Sequence, residues 1–156
     1  MAFLDEVIPF ADKEEGTVYE HLKRAVDFSM NHLGVHGMPA GLYADWNDCL
    51  RLGKAGESSF VAMQFYYAMT ILKKFAEYKG DTDYIAYLEE KQKQQGDVIN
   101  EFCWNEDRFI RGFTEAGETI GKRTDNEANM WLNPQSWAVI SGLAKADQAD
   151  MALERV

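Results

Sequence analysis

Cysteine is scarce in this chain of 156 residues, and basic residues are outnumbered by acidic ones. The two cysteines, Cys49 and Cys103, are too few for a disulfide framework and favour a cytoplasmic protein. The 16 Lys and Arg residues against 26 Asp and Glu leave a net charge of −10, which disfavours nucleic acid as a partner because its phosphate backbone is repelled. Apolar runs are shorter than the roughly 20 residues of a membrane-spanning helix, so we expect no membrane association.

Two kinds of cofactor motif are also missing from the sequence. No group of Cys and His residues has the spacing of a zinc site, and no glycine-rich segment resembles a nucleotide-binding loop. We therefore expect neither a metal nor an organic cofactor.

Aromatic residues, by contrast, make up 13% of the chain. Aromatic faces suit a flat ligand such as a sugar ring, but a well-packed core explains the same composition, and both explanations stay open at this point. The apolar residues 1–10 and a helical pattern that continues to Val156 lead us to expect a piece of a larger domain.

Hydrophobic periodicity predicts a mainly α-helical chain built from helix pairs. The expected helices cover residues 17–31, 58–79, 81–102, 135–144 and 147 onwards, the last with Asp147 as its cap. Thr17 and Glu20 have the spacing of a capping box, and Gly80 ends the second helix. The second and third helices form an antiparallel hairpin, unless Gly96 breaks the third. Residues 108–121 have strand-like segments around a turn, which predicts a small β-hairpin insertion.

The densest group of polar and aromatic side chains lies in the glycine-rich segment 35–56. Asp45, Trp46, Asn47 and Asp48 are consecutive there. Trp46 is suited to stacking on a sugar ring, Asn47 to binding hydroxyl groups, and a carboxyl group near an indole to acting as a general acid. The alternative is that Trp46 belongs to the core and that the aspartates cap turns or the next helix. Glu57 likewise has two interpretations, as a sugar ligand or as a carboxylate that favours a helix start.

The wider segment resembles the cellobiose phosphorylase group, family 94 of the glycoside hydrolases. The resemblance runs through residues 37–53, GMPAGLYADWNDCLRLG, and continues with residues 56–65, 109–111 and 132–142. It covers nearly the whole chain in order. It implies that residues 1–156 are a slice of an (α/α)6 toroid, in which paired helices surround a central pit.

Members of this family cleave a β-linked disaccharide with inorganic phosphate and invert the anomeric centre, which yields α-glucose 1-phosphate and a free sugar. The resemblance implies that Asp48 is the general acid, that Trp46 lines the donor-sugar subsite and that Cys49 lies beside the acceptor sugar. Asp45 is expected to hold the loop or a sugar hydroxyl. Gln135 belongs to a family segment near the pit, which makes it a candidate sugar contact.

A phosphorylase needs only one catalytic carboxyl group. An inverting hydrolase requires an acid and also a base that activates water, whereas phosphate is already an anionic nucleophile. The family's phosphate ligands lie well C-terminal to the acid, so we expect the phosphate site to come from outside these residues. His21, His32 and His36 precede the acid, do not match those ligands, and are expected to be structural.

The predicted function is therefore that of a segment of a cellobiose-type phosphorylase acting on a β-linked glucose disaccharide and phosphate. Laminaribiose is a competing substrate, and N-acetylated chitobiose is less favoured. A different hypothesis is a non-catalytic fragment that at most binds sugar, and that self-associates because the apolar faces normally covered by other helix pairs are exposed. Weak hydrolysis is a third alternative, although no base that would act with Asp48 is visible.

Overall fold

The computed structural model describes residues 1–10 and 14–156, and this part of the chain is mainly helical. Its α-helices are α1 Val18–Met30, α2 Ser59–Lys79, α3 Thr82–Cys103, α4 Leu132–Ile140 and α5 Ala146–Glu154. Its strands are β1 Val7–Pro9, β2 Glu15–Thr17, β3 Glu57–Ser58, β4 Trp104–Asn105, β5 Arg108–Phe109, β6 Gly112–Phe113 and β7 Thr119–Ile120, and a 3-10 helix covers Ala2–Asp5. No helix among these residues has both the length and the hydropathy to cross a membrane.

Helix α1 begins at the predicted capping box. The Thr17 hydroxyl accepts a hydrogen bond from the Glu20 backbone N–H at 3.2 Å, and the Glu20 carboxylate accepts one from the Thr17 N–H at 2.6 Å. Two of the N–H groups that a helix start leaves without partners are therefore satisfied, and the predicted start is confirmed.

Helices α2 and α3 form the predicted antiparallel hairpin. The Ser58 hydroxyl accepts from the Val61 N–H at 3.2 Å, and Gly80 ends α2 in the left-handed region at φ 69°. Helix α3 runs without a break through Gly96, where the Tyr66 ring of α2 lies so close that a Cβ would come within 3.1 Å of it. The glycine therefore permits close helix packing instead of ending the helix.

The last two helices differ from prediction at their ends. Helix α4 starts three residues before Gln135 and stops at Ile140, and Gly142 takes up a left-handed φ of 73° shortly after it. Helix α5 begins at Ala146, and the Gln148 side chain accepts the Lys145 N–H at 3.0 Å. Asp147 lies inside the first turn, so the prediction that it caps α5 is wrong.

Three small antiparallel sheets accompany the helices in the described part of the chain. Strands β6 and β7 form the predicted hairpin, and β3 pairs with β6 on its other side, so that the strand order is β3-β6-β7. At Gly112 a Cβ would lie only 2.2 Å from the Glu57 carbonyl oxygen, so only glycine allows β3 this close. Strands β4–β5 and β1–β2 form two further pairs.

Among the described residues the core consists of two clusters, and both include residues of α2. One contains Leu4 together with α1, α2 and the first half of α3, and the other joins α2 and the end of α3 to the hairpins, α4 and α5. Half of the aromatic side chains lie in or against these clusters, which supports the core explanation for that half of the aromatic content. The closed toroid stays a prediction.

Asp81 ties α1 to the start of α3. Its carboxylate accepts hydrogen bonds from Lys23 Nζ at 2.9 Å, the Tyr19 hydroxyl at 3.1 Å and the Tyr84 N–H at 3.2 Å. The bond from Lys23 is the main reason that the pKa of Asp81 is held below its usual value.

We predict that Asp81→Asn lowers the free energy of unfolding by about 1 kcal/mol at neutral pH, because the charge-assisted bonds become ordinary ones. A carboxylate whose pKa is depressed in the folded state stabilises above the unfolded value of about 3.9, and its contribution is lost as the pH falls through the folded value. Urea titrations between pH 2.5 and 7 should therefore show the difference from wild type vanish at the acid end. The exposed neighbour Asp83→Asn is the control, and a difference that does not depend on pH contradicts this role of Asp81.

Candidate active site

The segment that carries the predicted acid is a loop. Its first limb, residues 36–42, pairs with its second limb, residues 53–56. The Gly41 N–H donates to the Gly56 carbonyl at 2.8 Å, and the Leu42 N–H donates to the Lys54 carbonyl at 3.0 Å. Because the limbs are joined at this neck, residues 43–52 form a closed tip and not an open connection.

Glu57 fastens the first limb of the loop from inside the protein. Its carboxylate is 1% exposed and accepts the backbone N–H groups of His36 and Met38 at 3.1 and 3.0 Å. His36 Nδ1 lies 2.5 Å from the same carboxylate, and its ring stacks on Phe113 with 3.9 Å between centroids. Glu57 is thus fully used by the loop backbone and lies in β3, which fits neither a sugar ligand nor a helix-start charge.

Glu115, in the turn between β6 and β7, fastens the second limb. Its carboxylate accepts the Lys54 N–H at 2.7 Å, and its own N–H donates to the Leu52 carbonyl at 2.7 Å. The β6–β7 turn therefore lies directly against the loop tip.

Asp45 is bound to Arg111 in a buried ion pair. The side chains are 1% and 2% exposed, and one Arg111 nitrogen donates to Asp45 Oδ1. The same oxygen accepts the Asn47 N–H at 2.9 Å, and the Asn47 side-chain carbonyl accepts the Cys49 N–H at 3.1 Å. The Asp45 side chain thus caps one turn and the Asn47 side chain caps the next. Asp48 lies within the second of these turns.

Trp46 is 69% exposed, so the alternative that it belongs to the core is wrong. Its ring meets Phe60 edge-on, with 5.9 Å between centroids. Beside it lies a cavity of about 230 Å³, lined also by Asp45, Ser58 and Val61. Within the described part of the chain, the buried Oδ2 atom of Asp45 has no hydrogen-bond partner.

Asp48 is exposed at the tip of the loop. Its carboxyl group makes no hydrogen bond or ion pair with any of the described residues, so it caps neither a turn nor a helix. It lines an open cleft of about 640 Å³ together with Tyr43 and Arg51 of the loop and with Glu115 and Glu118 of the β6–β7 turn. A free carboxyl group beside an open cleft can exchange protons with a ligand bound there.

Gln135 lies elsewhere. It is fully buried, its carbonyl accepts the Phe109 N–H at 2.8 Å, and its amide donates to the Phe109 and Trp131 carbonyls at 2.7 and 3.0 Å. The expected sugar contact is therefore corrected to a structural one, because the amide N–H groups are both used by the backbone and no part of the side chain is exposed.

Sequence reasoning did not assign a role to Arg111 or to Glu115. An arginine between two short strands usually extends into solvent, and an acidic residue in a hairpin turn looks like ordinary turn chemistry. Both contact the loop across more than 60 residues of sequence, and no local pattern indicates such a partner.

The two cysteines have opposite environments. Cys49 is exposed next to Asp48, whereas Cys103 is completely buried and lies 3.5 Å from the Met38 sulfur. Burial raises the pKa of the Cys103 thiol.

We predict that one thiol of the folded protein reacts promptly with a chromogenic disulfide such as DTNB and that two react after denaturation. The reactive group should be Cys49, since Cys103 is shielded and lacks thiolate character. Cys49→Ser should abolish the prompt reaction, and the matched variant Cys103→Ser should retain it. Two thiols of equal reactivity in the folded protein would contradict the structure at this site.

Comparison with known proteins identifies the family of this chain. Residues 1–156 match the sequence model of the glycosyl hydrolase 94 superfamily, catalytic domain. The chain is similar to an N,N′-diacetylchitobiose phosphorylase of Vibrio proteolyticus, with 36% identity over 99% of the chain and 20% of the relative. It is also similar to a solabiose phosphorylase of Paenibacillus borealis, with 34% identity over 99% of the chain and 21% of the relative.

A cellobionic acid phosphorylase of Neurospora crassa is 30% identical over 99% of the chain and 20% of that relative. The chain thus spans about one fifth of the length of these relatives. Since the family model extends over every residue, the chain belongs to the glycosyl hydrolase 94 superfamily and represents part of its catalytic domain.

Proposed function

We propose that these residues supply the acid-bearing loop of an inverting disaccharide phosphorylase, with Asp48 as the general acid. The observation that carries this proposal is the Asp48 carboxyl group, which has no partner among the described residues and lies on an open cleft two residues after the exposed Trp46. Three relatives with phosphorylase in their names support the reaction class.

In the proposed reaction, Asp48 begins protonated. It donates its proton to the glycosidic oxygen while the bond from that oxygen to the anomeric carbon breaks, and a phosphate oxygen bonds to the same carbon from the opposite face. The products are an α-sugar 1-phosphate and a free sugar, and Asp48 is left as a carboxylate that solvent reprotonates. Phosphate replaces both the water and the base of a hydrolase, and we propose that other segments of the protein bind it.

The other residues of the loop tip are proposed as sugar contacts. The exposed Trp46 ring is available for stacking on the donor sugar. Asp45, whose side chain is buried against Arg111, is proposed to hold the loop. The Asn47 amide nitrogen is available as a donor, since only the Asn47 oxygen is used in the turn. Cys49, exposed next to the acid, is proposed to face the acceptor sugar.

Three disaccharides are proposed as substrates. The resemblance of the loop favours cellobiose, with laminaribiose as a competitor. The N,N′-diacetylchitobiose phosphorylase relative makes that N-acetylated disaccharide a further substrate to test.

We predict phosphate-dependent release of an α-sugar 1-phosphate when the full-length protein containing these residues is incubated with one of the three disaccharides. Nuclear magnetic resonance identifies the anomer, and omission of phosphate is the first control. Asp48→Asn should lower kcat by about 100-fold or more on the disaccharide, because an amide cannot supply the proton. The loss should be far smaller on a 2,4-dinitrophenyl β-glycoside of the same donor sugar, whose leaving group needs no proton.

The matched control for this experiment is Asp97→Asn, an exposed aspartate on α3 that pairs with Lys93 at a distance from the loop in sequence. It should retain full activity. If Asp48→Asn phosphorolyses the disaccharide at the wild-type rate, Asp48 is not the acid, and sugar release that does not require phosphate would favour the hydrolase alternative.

We also propose that the 156 residues self-associate when isolated. An apolar groove of about 190 Å³ lies open between α1 and α2, lined by Leu22, Val26, Phe65 and Leu72, and Phe28 on α1 is 55% exposed. Sedimentation at micromolar concentration should give a mass of at least a dimer, and a monomer of 17.8 kDa would contradict this proposal. Assay of the isolated chain for sugar 1-phosphate separates an active segment from a non-catalytic one.

A further inference from the structure

We propose that Arg111 is the positioning residue of the acid loop: it holds Asp45 from inside the protein and thereby sets where the Asp48 carboxyl group lies over the cleft. The inference rests on the proposed function, because it concerns the geometry of the proposed acid. Arg111 itself is 1% exposed, so it acts through Asp45 and not on a ligand.

The Arg111 guanidinium bridges two separate parts of the structure. One terminal nitrogen donates to the Ser58 hydroxyl at 2.6 Å, at the start of α2, and the other donates to Asp45 Oδ1 in the loop. The guanidinium lies 5.9 Å from the Phe60 ring centroid and 5.6 Å from that of Trp131, so aromatic rings restrict its movement. A planar cation with several donors suits this bridge, and a point charge does not.

The position of Asp48 follows from this bridge. Its carboxyl group has no partner among the described residues, so only the backbone of the tip determines where it lies. That backbone is shaped by the turn in which Asp45 accepts the Asn47 N–H and by the next, in which Asn47 accepts the Cys49 N–H. Arg111 anchors Asp45, which caps the first of these turns. A displacement of Asp45 therefore also displaces the backbone of Asp48.

Loss of the guanidinium leaves a buried carboxylate without its counter-ion. Movement towards water then lowers the free energy of the Asp45 carboxylate, and the tip of the loop moves with it. Because a displacement of about 1 Å at a reacting group can cost about 100-fold in rate, we expect Arg111→Gln to lower kcat on the disaccharide by about 10- to 100-fold. The KM for phosphate should change little, since phosphate is proposed to bind to other segments.

The experiment uses the full-length protein and compares two substrates. If Arg111 positions the acid, Arg111→Gln should lower kcat much more on the disaccharide than on the 2,4-dinitrophenyl β-glycoside, which needs no proton. A general loss of structure would lower both equally. The matched control is Arg108→Gln, which removes a partly buried arginine of β5, three residues before Arg111. The partners of Arg108, Asp107 and the Asn129 carbonyl, lie outside the loop, so this variant should leave the ratio of the two rates unchanged.

A double-mutant cycle tests whether Arg111 acts through Asp45. The effect of Arg111→Gln on kcat should be large in the wild-type background and small in the Asp45→Asn background, because there the loss of the guanidinium leaves no buried carboxylate without a counter-ion. If Arg111→Gln does not fold, Arg111→Lys decides the matter. Its ammonium keeps the charge but cannot reach both Ser58 and Asp45, so we expect an intermediate loss of kcat with the same dependence on substrate.

The outcomes separate the two proposals. A full-length wild type without phosphorolysis overturns the proposed function and, with it, this role of Arg111. An active wild type that loses rate in Asp48→Asn, but whose Arg111 variants keep more than half of kcat or lose it equally on both substrates, overturns the positioning role alone. Equal effects of Arg111→Gln in the two backgrounds of the cycle also overturn it.

Discussion

The structure of the candidate site depends on the buried ion pair between Arg111 and Asp45. The two residues are 66 positions apart, and their side chains are almost completely excluded from water. Charges in such a position are costly unless each is paired and hydrogen-bonded, so the pair tolerates little displacement. Arg111 lies between β5 and β6 and also donates to Ser58 at the start of α2. The pair therefore attaches the irregular loop to two strands and to a long helix.

The acidic residues around the loop have separate tasks. Glu57 and Glu115 each accept backbone N–H groups from one limb, and Asp45 accepts both a guanidinium and a turn N–H. Asp48 alone of these four has no such contact with the described residues. The proposed general acid needs a carboxyl group that is not already committed to internal hydrogen bonds, and among these four carboxyl groups Asp48 meets this requirement.

Features determined by neighbouring residues were predictable. The capping box at Thr17, the left-handed stop at Gly80 and the β6–β7 hairpin each depend on a few consecutive residues, and all are confirmed. Features that depend on distant contacts were not. Strand β3 has two residues and pairs across about 50 positions, and Gln135 in α4 is buried because it satisfies the backbone of β5. Periodicity carries no information about either partner.

The sequence by itself determined the helix pairs, the family and the run of residues that includes the proposed acid, because these are written in local order and spacing. Only the tertiary structure decided how those residues are used. It exposed Trp46, left Asp48 without a partner among the described residues, committed Glu57 and Gln135 to the backbone and paired Arg111 with Asp45. The physical reason is that a polar group must find its partner or remain in water, and which of the two occurs depends on residues that are neighbours only after the chain has folded.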